Sequence, residues 1–121
     1  MKLKIYIVED CPFMASSLKK LVTVLGHSVV GTSSSYEDAV EKLAQIDIDM
    51  VITDIMLSGQ KNGIDLGAYI KKYLHIPVIY QSSITDRCLK LQALSTKPLA
   101  YLSKPVSKLE LSNALLSIET D

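Results

Sequence analysis

Residues 50–54 read Met50-Val51-Ile52-Thr53-Asp54, four apolar or β-branched residues in unbroken succession closed by a carboxylate. A strand with one wet face alternates polar and apolar residues. An unbroken apolar run is instead the pattern of a strand covered on both faces, as in a parallel α/β sheet. The polar, glycine-containing stretch Ser58–Gly63 follows as a loop. Pro77–Gln81 repeats the pattern, with proline at the strand's first residue, where no ladder donor is needed. Working outward, Leu3–Val8, Ser28–Thr32 and Leu99–Leu102 are further short runs of the same kind.

Each run is followed by helical spacing. Met14, Leu18, Leu21, Val22 and Leu25 form one stripe, so Pro12–Leu25 is expected as an amphipathic helix, with Pro12 in its first turn and Gly26 at its end. Ser34 with Glu37, or Ser35 with Asp38, offers a capping-box start to a second helix reaching about Gln45. Leu66, Tyr69, Ile70, Tyr73 and Leu74 form the stripe of a third helix, expected to be core-facing. A weaker helix covers Thr85–Leu94, and Ser107 with Glu110 caps a fifth reaching about Ile118. Five strand–helix units without a linker or repeat imply one doubly wound α/β domain over residues 1–121, a parallel sheet with helices on both faces.

Composition narrows the function. Thirteen basic and thirteen acidic residues cancel, so no electrostatic footprint for nucleic acid or an anionic membrane is present. The apolar runs fall far short of the ~20 residues that span a bilayer. Met1 stands directly before the first strand, which suggests a native start without a secretory signal. Cys11 and Cys88 are too few and too distant for a disulfide framework or a zinc site, and are expected as reduced thiols of a cytoplasmic protein. Cys11 reads as a small helix-start residue rather than a redox sensor. His27 and His75 follow helices, have no metal-like neighbours and are expected to be solvated.

In a doubly wound sheet, ligands bind beyond the carboxyl ends of the strands, where strand order reverses. The first strand ends in Glu9-Asp10, the third in Asp54, the fourth in Ser82-Ser83 and the fifth in Ser103-Lys104-Pro105. Three carboxylates, a hydroxyl and an ammonium therefore converge on one edge. Uncompensated carboxylates repel one another, and a hard divalent cation such as Mg²⁺ removes the conflict. A carboxylate beside that cation can act as nucleophile toward phosphorus, with Lys104 and the Ser82 hydroxyl stabilising the transferred charge. An acidic pair or a Lys-Pro alone is ordinary loop chemistry. Their joint placement on consecutive strands is not.

The motifs IYIVED at 5–10, VITDIML at 51–57, NGIDL at 62–66, IPVIYQSS at 76–83 and AYLSKP at 100–105 make the chain resemble a response-regulator receiver domain from Lys2 to Ile118. The resemblance implies a flavodoxin-like fold with strand order 2-1-3-4-5. It also implies an aspartyl-phosphate switch, charged by a histidine kinase or histidine phosphotransfer protein and read by a downstream protein. Asp54 matches the phosphoacceptor, Asp10 a direct Mg²⁺ ligand, Glu9 an acid acting through water, and Met56 the donor of a backbone carbonyl to the metal. Lys104 matches the phosphate-pairing lysine, Ser82 the switch hydroxyl, Tyr101 the aromatic that rotates inward, and Pro105 a position where a cis bond is usual. Dimers of such domains often use the face of the fourth helix, fifth strand and fifth helix.

Departures are modest. Ser82 keeps the hydroxyl where threonine is commoner, Ser83 replaces alanine, and Ser58-Gly59 replaces a common proline. Apolar Met56 and Ile84, two past the acceptor and two past the switch hydroxyl, cannot hold an attacking water, so slow loss of the phosphoryl group is expected. A doubly wound phosphotransferase or phosphatase would want a second carboxylate at position 56, and no phosphate-binding Gly-x-x-x-x-Gly-Lys loop is present. A pseudo-receiver is the other alternative, disfavoured because all the signature groups are chemically competent. No output region is recognisable, which leaves a stand-alone receiver or a piece of a longer regulator.

Overall fold

A computed structural model of the chain describes residues 2–119. The strands are β1 (Lys4–Val8), β2 (Ser28–Ser33), β3 (Met50–Asp54), β4 (Val78–Ser82) and β5 (Ala100–Ser103). The helices are α1 (Pro12–Val24), α2 (Tyr36–Leu43), α3 (Gly63–Tyr69), α4 (Arg87–Ser95) and α5 (Lys108–Glu119). All strand pairs are parallel and the sheet order is β2-β1-β3-β4-β5, as expected.

Alternate strand residues feed two cores. Ile5, Ile7, Met50, Ile52, Ile79 and Leu102 pack with Leu18 and Val22 of α1 and Leu111 and Leu115 of α5. Tyr6, Val8, Val51 and Tyr80 pack on the other side with Ala39 and Leu43 of α2, Leu66 of α3 and Ala93 of α4. Each fully buried aliphatic side chain contributes about 1.5–3 kcal/mol. The unbroken apolar runs are thus explained by apolar neighbours above and below.

Local signals place the helix ends. Pro12 opens α1, and Gly26 follows it at φ +94°, a left-handed conformation that glycine adopts without strain. Of the two capping options at α2, Ser35 is the one used, its hydroxyl accepting from the Asp38 N–H at 3.2 Å. Asn62 caps α3 by accepting from the Ile64 and Asp65 N–H groups, and Asp65 returns a bond from the Asn62 N–H. Asp86 caps α4 through the Cys88 and Leu89 N–H groups.

Two expectations need correction. The third helix stops being α at Tyr69 and continues as a π-helix, Ile70–Leu74, closed by left-handed His75, whose N–H donates to the Ile70 carbonyl at 2.8 Å. The wider i→i+5 turn displaces later residues from the 3.6-residue stripe. Ile70 remains fully buried, whereas Tyr73 is 59% exposed rather than core. His27 is buried, not solvated, because its Nδ1 accepts the Leu3 N–H at 3.0 Å and satisfies a main-chain donor just before β1. His75 is exposed as expected.

Candidate functional site

Register alone aligns the acidic groups. Val8 lies opposite Thr53 in the β1–β3 pair, so Glu9 and Asp54, each one residue further on, leave the sheet side by side. β3 and β4 pair Asp54 with Gln81, and β4 and β5 pair Ser82 with Ser103. A bond from the Lys104 N–H to the Ser82 carbonyl, 2.9 Å, extends the last ladder and directs Lys104 over the same edge.

The Lys104 ammonium donates to Glu9 Oε1 at 2.6 Å and to Asp54 Oδ2 at 2.8 Å. The side chains of Glu9 and Asp54 are only 1% and 11% exposed, and that of Lys104 12%. Burial by itself would lower the lysine's pKa, but the hydrogen bonds and charges of Asp54 and Glu9 outweigh it and hold the ammonium above its ordinary range. Asp54 Oδ1 has one further contact, from the Met56 N–H at 3.3 Å. Glu9 Oε2 accepts from the Cys11 N–H at 3.3 Å. The Asp54 carboxylate is therefore fixed by one oxygen and lightly engaged by the other.

Glu9, Asp10 and Asp54 offer oxygens that all lie within 4.8 Å of one another. Three carboxylates against one ammonium leave excess negative charge in a partly covered pocket. That donor set fits a hard divalent cation bound by a few carboxylates, after modest side-chain adjustment. Asp10 is exposed and Met56 is 54% exposed, so the approach to Asp54 is open on that side.

Beneath the site, the chain must pass very close to itself. A Cβ on Gly63 would stand 1.9 Å from the Asp54 carbonyl oxygen, and the Gly63 N–H donates to the Ile55 carbonyl at 2.7 Å. Asn62-Gly63 thus serves as both a helix cap and a floor for the acceptor strand.

The other site residues lie on the neighbouring strands. Ser82 is 2% exposed, and its hydroxyl accepts the Ile84 N–H at 2.9 Å, a turn that anchors the β4–α4 loop. Tyr101 is on β5 opposite Tyr80, its ring under the Lys90 ammonium at 5.4 Å. Its hydroxyl is sealed from solvent and, among the described residues, has no hydrogen-bond partner. The Lys104–Pro105 bond is cis. Glu9, Asp10, Asp54 and Lys104 are therefore brought together, with Ser82 and Tyr101 on the flanking strands. The Glu9–Lys104 contact is not legible in the sequence. Cys11 is the exposed N-cap residue of α1 and makes no side-chain cap, in keeping with a helix-start residue.

Comparison with known proteins agrees with this geometry. The family model for the response regulator receiver domain matches residues 5–116. The chemotaxis protein CheY of Thermotoga maritima is 29% identical over 116 residues, covering 93% of each chain. The uncharacterized transcriptional regulatory protein YbdJ of Bacillus subtilis is 36% identical over 110 residues, which span 89% of this chain but only 47% of that one. Among solved structures, the signal receiver domain of a modulated diguanylate cyclase from Desulfovibrio desulfuricans superposes with a TM-score of 0.91 at 28% identity, covering 97% of this chain and 93% of that one. The matched length, the strand order and the acidic edge lead to one assignment: this chain belongs to the response regulator receiver domain family.

Proposed function

We propose that the chain is a phosphorylation-activated signalling switch in which Asp54 accepts a phosphoryl group from a histidine kinase or histidine phosphotransfer protein. The observation that carries this reading is the Asp54 carboxylate itself. One of its oxygens is pinned by Lys104 and the other is nearly free, at an edge shared with Glu9 and Asp10. That free oxygen attacks phosphorus, the P–N bond of the phosphohistidine breaks as the P–O bond forms, and the imidazole leaves with the electron pair.

Glu9, Asp10, Asp54 and the Met56 carbonyl are the groups that would hold Mg²⁺, which would offset the charge of the phosphoryl oxygens. Lys104 is already a neighbour of Asp54 and can pair with a phosphoryl oxygen with little motion. The Ser82 hydroxyl accepts the Ile84 N–H and keeps its own proton to donate, so movement toward the phosphoryl group would strain or break that bond and make it the latch of the switch. Tyr101 reports the change. Its unpartnered hydroxyl makes the present ring position costly by about 1–3 kcal/mol, so a small shift at Ser82 is enough to alter its preference. The readout face is α4–β5–α5, offered to a downstream protein or to a second copy of the chain.

The domain is regulatory rather than a turnover enzyme, and it contacts neither nucleic acid nor membrane directly. Among the described residues no helix is long and apolar enough to cross a membrane. The cytoplasm, where the kinase domains act, is its proposed location.

The deciding experiment is phosphorylation of the protein and of Asp54→Asn by phosphoramidate with Mg²⁺. The protein should take up one phosphoryl group that is base-labile and cleaved by hydroxylamine, as an acyl phosphate is, and the variant none. Labelling of Asp54→Asn at the wild-type rate would mean that the acceptor lies elsewhere. The lifetime of the mark is a second observable. Met56 and Ile84 give an attacking water no polar hold, so spontaneous loss should be slow. Met56→Asn should accelerate it severalfold, measured by following the phosphorylated form after donor removal.

A further inference from the structure

Three tyrosine rings stand in a row where α2 meets α3. Tyr36, in the first turn of α2, meets Tyr69 edge-on at the end of α3, with ring centroids 6.1 Å apart, and Tyr69 meets Tyr73 at 5.0 Å. Tyr36 and Tyr69 are half-buried, whereas Tyr73, carried by the π-helical turn Ile70–Leu74, is exposed. That irregular turn extends the row onto the surface, and π-turns are frequent at functional sites. Each outer ring lies under an ammonium, Lys61 over Tyr36 at 4.7 Å and Lys72 over Tyr73 at 5.2 Å. Among the described residues neither lysine enters an ion pair, and none of the three phenol hydroxyls makes a hydrogen bond to the protein.

Surface rings, unused phenol donors and an unpaired cation together specify a partner. Aromatic faces pack against proline rings, and a polyproline II segment carries carbonyl acceptors that its own backbone leaves unpaired. The phenol hydroxyls are the donors that such carbonyls need. At about 3.1 Å per residue, each step from ring to ring matches about two residues of that helix.

Charge is unequal along the row. At the Tyr36 end, Glu37 and Asp65 offset Lys61. At the Tyr73 end, Lys72 stands beside Lys71, and the sequence has no acidic residue between Asp65 and Asp86. A partner's carboxylate is therefore favoured at the Tyr73 end alone. The four prolines of this chain are isolated from one another, so a proline-rich segment must come from another protein.

We propose that the row Tyr36–Tyr69–Tyr73 is a docking surface for an extended proline-rich segment of another protein, with an acidic residue that pairs with Lys72. The surface lies on the α2 side of α3, apart from the α4–β5–α5 face. Docking there asks for no change at Asp54 and does not depend on its phosphorylation.

The test pans a phage-displayed library of random linear peptides against the full chain. Enriched sequences should be proline-rich with an acidic residue at one end, and the strongest is then made as a fluorescent peptide. Its affinity by fluorescence polarisation should fall about tenfold or more in Tyr73→Ala and in Lys72→Glu, and less in Lys61→Glu. All three side chains are exposed, so denaturation midpoints should stay near that of the unaltered protein. If Tyr73→Ala lowers its midpoint, Lys72→Glu decides alone. Failure to enrich any peptide overturns the proposal, as does enrichment of sequences lacking proline or the acidic residue. Affinity that survives Lys72→Glu overturns it too, because the peptide then binds elsewhere. A concentration-dependent dimer in sedimentation that Lys72→Glu and Tyr73→Ala both disperse would mean that a second copy covers the row, and would also overturn it.

Discussion

At the carboxyl ends of the strands, charged groups converge from β1, β3 and β5. Their charges are balanced only in part by one another: Lys104 serves Glu9 and Asp54 together, and Asp10 adds a third negative charge. At the amino ends of the same strands, polar groups find partners close by. The Lys4 N–H donates to Asp49 at 2.8 Å, the Lys4 ammonium to Asp47 at 2.9 Å, and the Leu3 N–H to His27. The Tyr80 hydroxyl meets Thr96 Oγ1 at 2.6 Å. Lys71 and Lys97 beside the cleft at that end lie near the closing turns of the third helix and α4, where positive charge suits the helix dipole. One sheet thus has a closed end and an end with charge left over. The second can exchange partners with a metal and a phosphoryl group, and the first holds the strands in register while that happens.

The comparison breaks most severely at Lys104. Lys104→Met leaves two buried carboxylates without their cation, a change that costs about 3–5 kcal/mol when a buried pair loses one member. Chemical denaturation with EDTA present should show that loss. Added Mg²⁺ should restore part of it, because a cation at the same carboxylates relieves the same repulsion. Placing Lys104→Met in the Asp54→Asn background should shrink the cost, and strict additivity of the two changes would mean that they do not interact.

Thr96→Val probes the closed end and should have a smaller effect of a different kind. Thr96 Oγ1 donates to the Ala93 carbonyl at 2.7 Å, so the Tyr80 hydroxyl must be the donor in their shared bond. Valine preserves the shape and strands a fully buried phenol, at about 1–3 kcal/mol. Stability in denaturant should fall by that amount while phosphoramidate labelling of Asp54 holds its rate. A slowed labelling rate would mean that the two ends are coupled through β4.

Why one end can be read from the sequence and the other cannot follows from the same contrast. Glu9, Asp10, Asp54, Ser82 and Lys104 each stand at or just past the end of an apolar run, so the period of the strands places them before any contact is known. The Glu9–Lys104 bond joins residues 95 apart and exists only once β1 and β5 flank β3 and β4 in one sheet. The burial of His27 escapes a sequence reading because its partner is a main-chain N–H, which no side-chain pattern displays. The π-turn at Ile70–Leu74 carries no glycine or proline to announce it, so the apolar stripe runs on through Tyr73 in sequence but not in space.

The two buried tyrosines sharpen the comparison with the smallest effect. Tyr6 and Tyr80 lie at neighbouring depths in one core but reach opposite ways, the Tyr6 hydroxyl to Ser33 at the end of β2 and the Tyr80 hydroxyl to Thr96 before β5. Burial raises both phenol pKa values above the ordinary range, opposed in part by the Ser33 and Thr96 hydroxyls. The folded protein therefore keeps these protons to higher pH than the unfolded chain does. Their contribution to stability is complete below about pH 10, the unfolded phenol value, and is lost as pH climbs through the raised folded values. Denaturation midpoints should hold up to near pH 10 and fall as pH climbs above it, and Tyr80→Phe and Tyr6→Phe should each flatten part of the decline. Ultraviolet absorbance of tyrosinate should lag for these two rings until the fold opens. A decline of undiminished slope in both variants would assign the alkaline loss to other groups. A change in Tyr6→Phe alone would mean that the end near Asp54, rather than the closed end, governs how the core admits hydroxide.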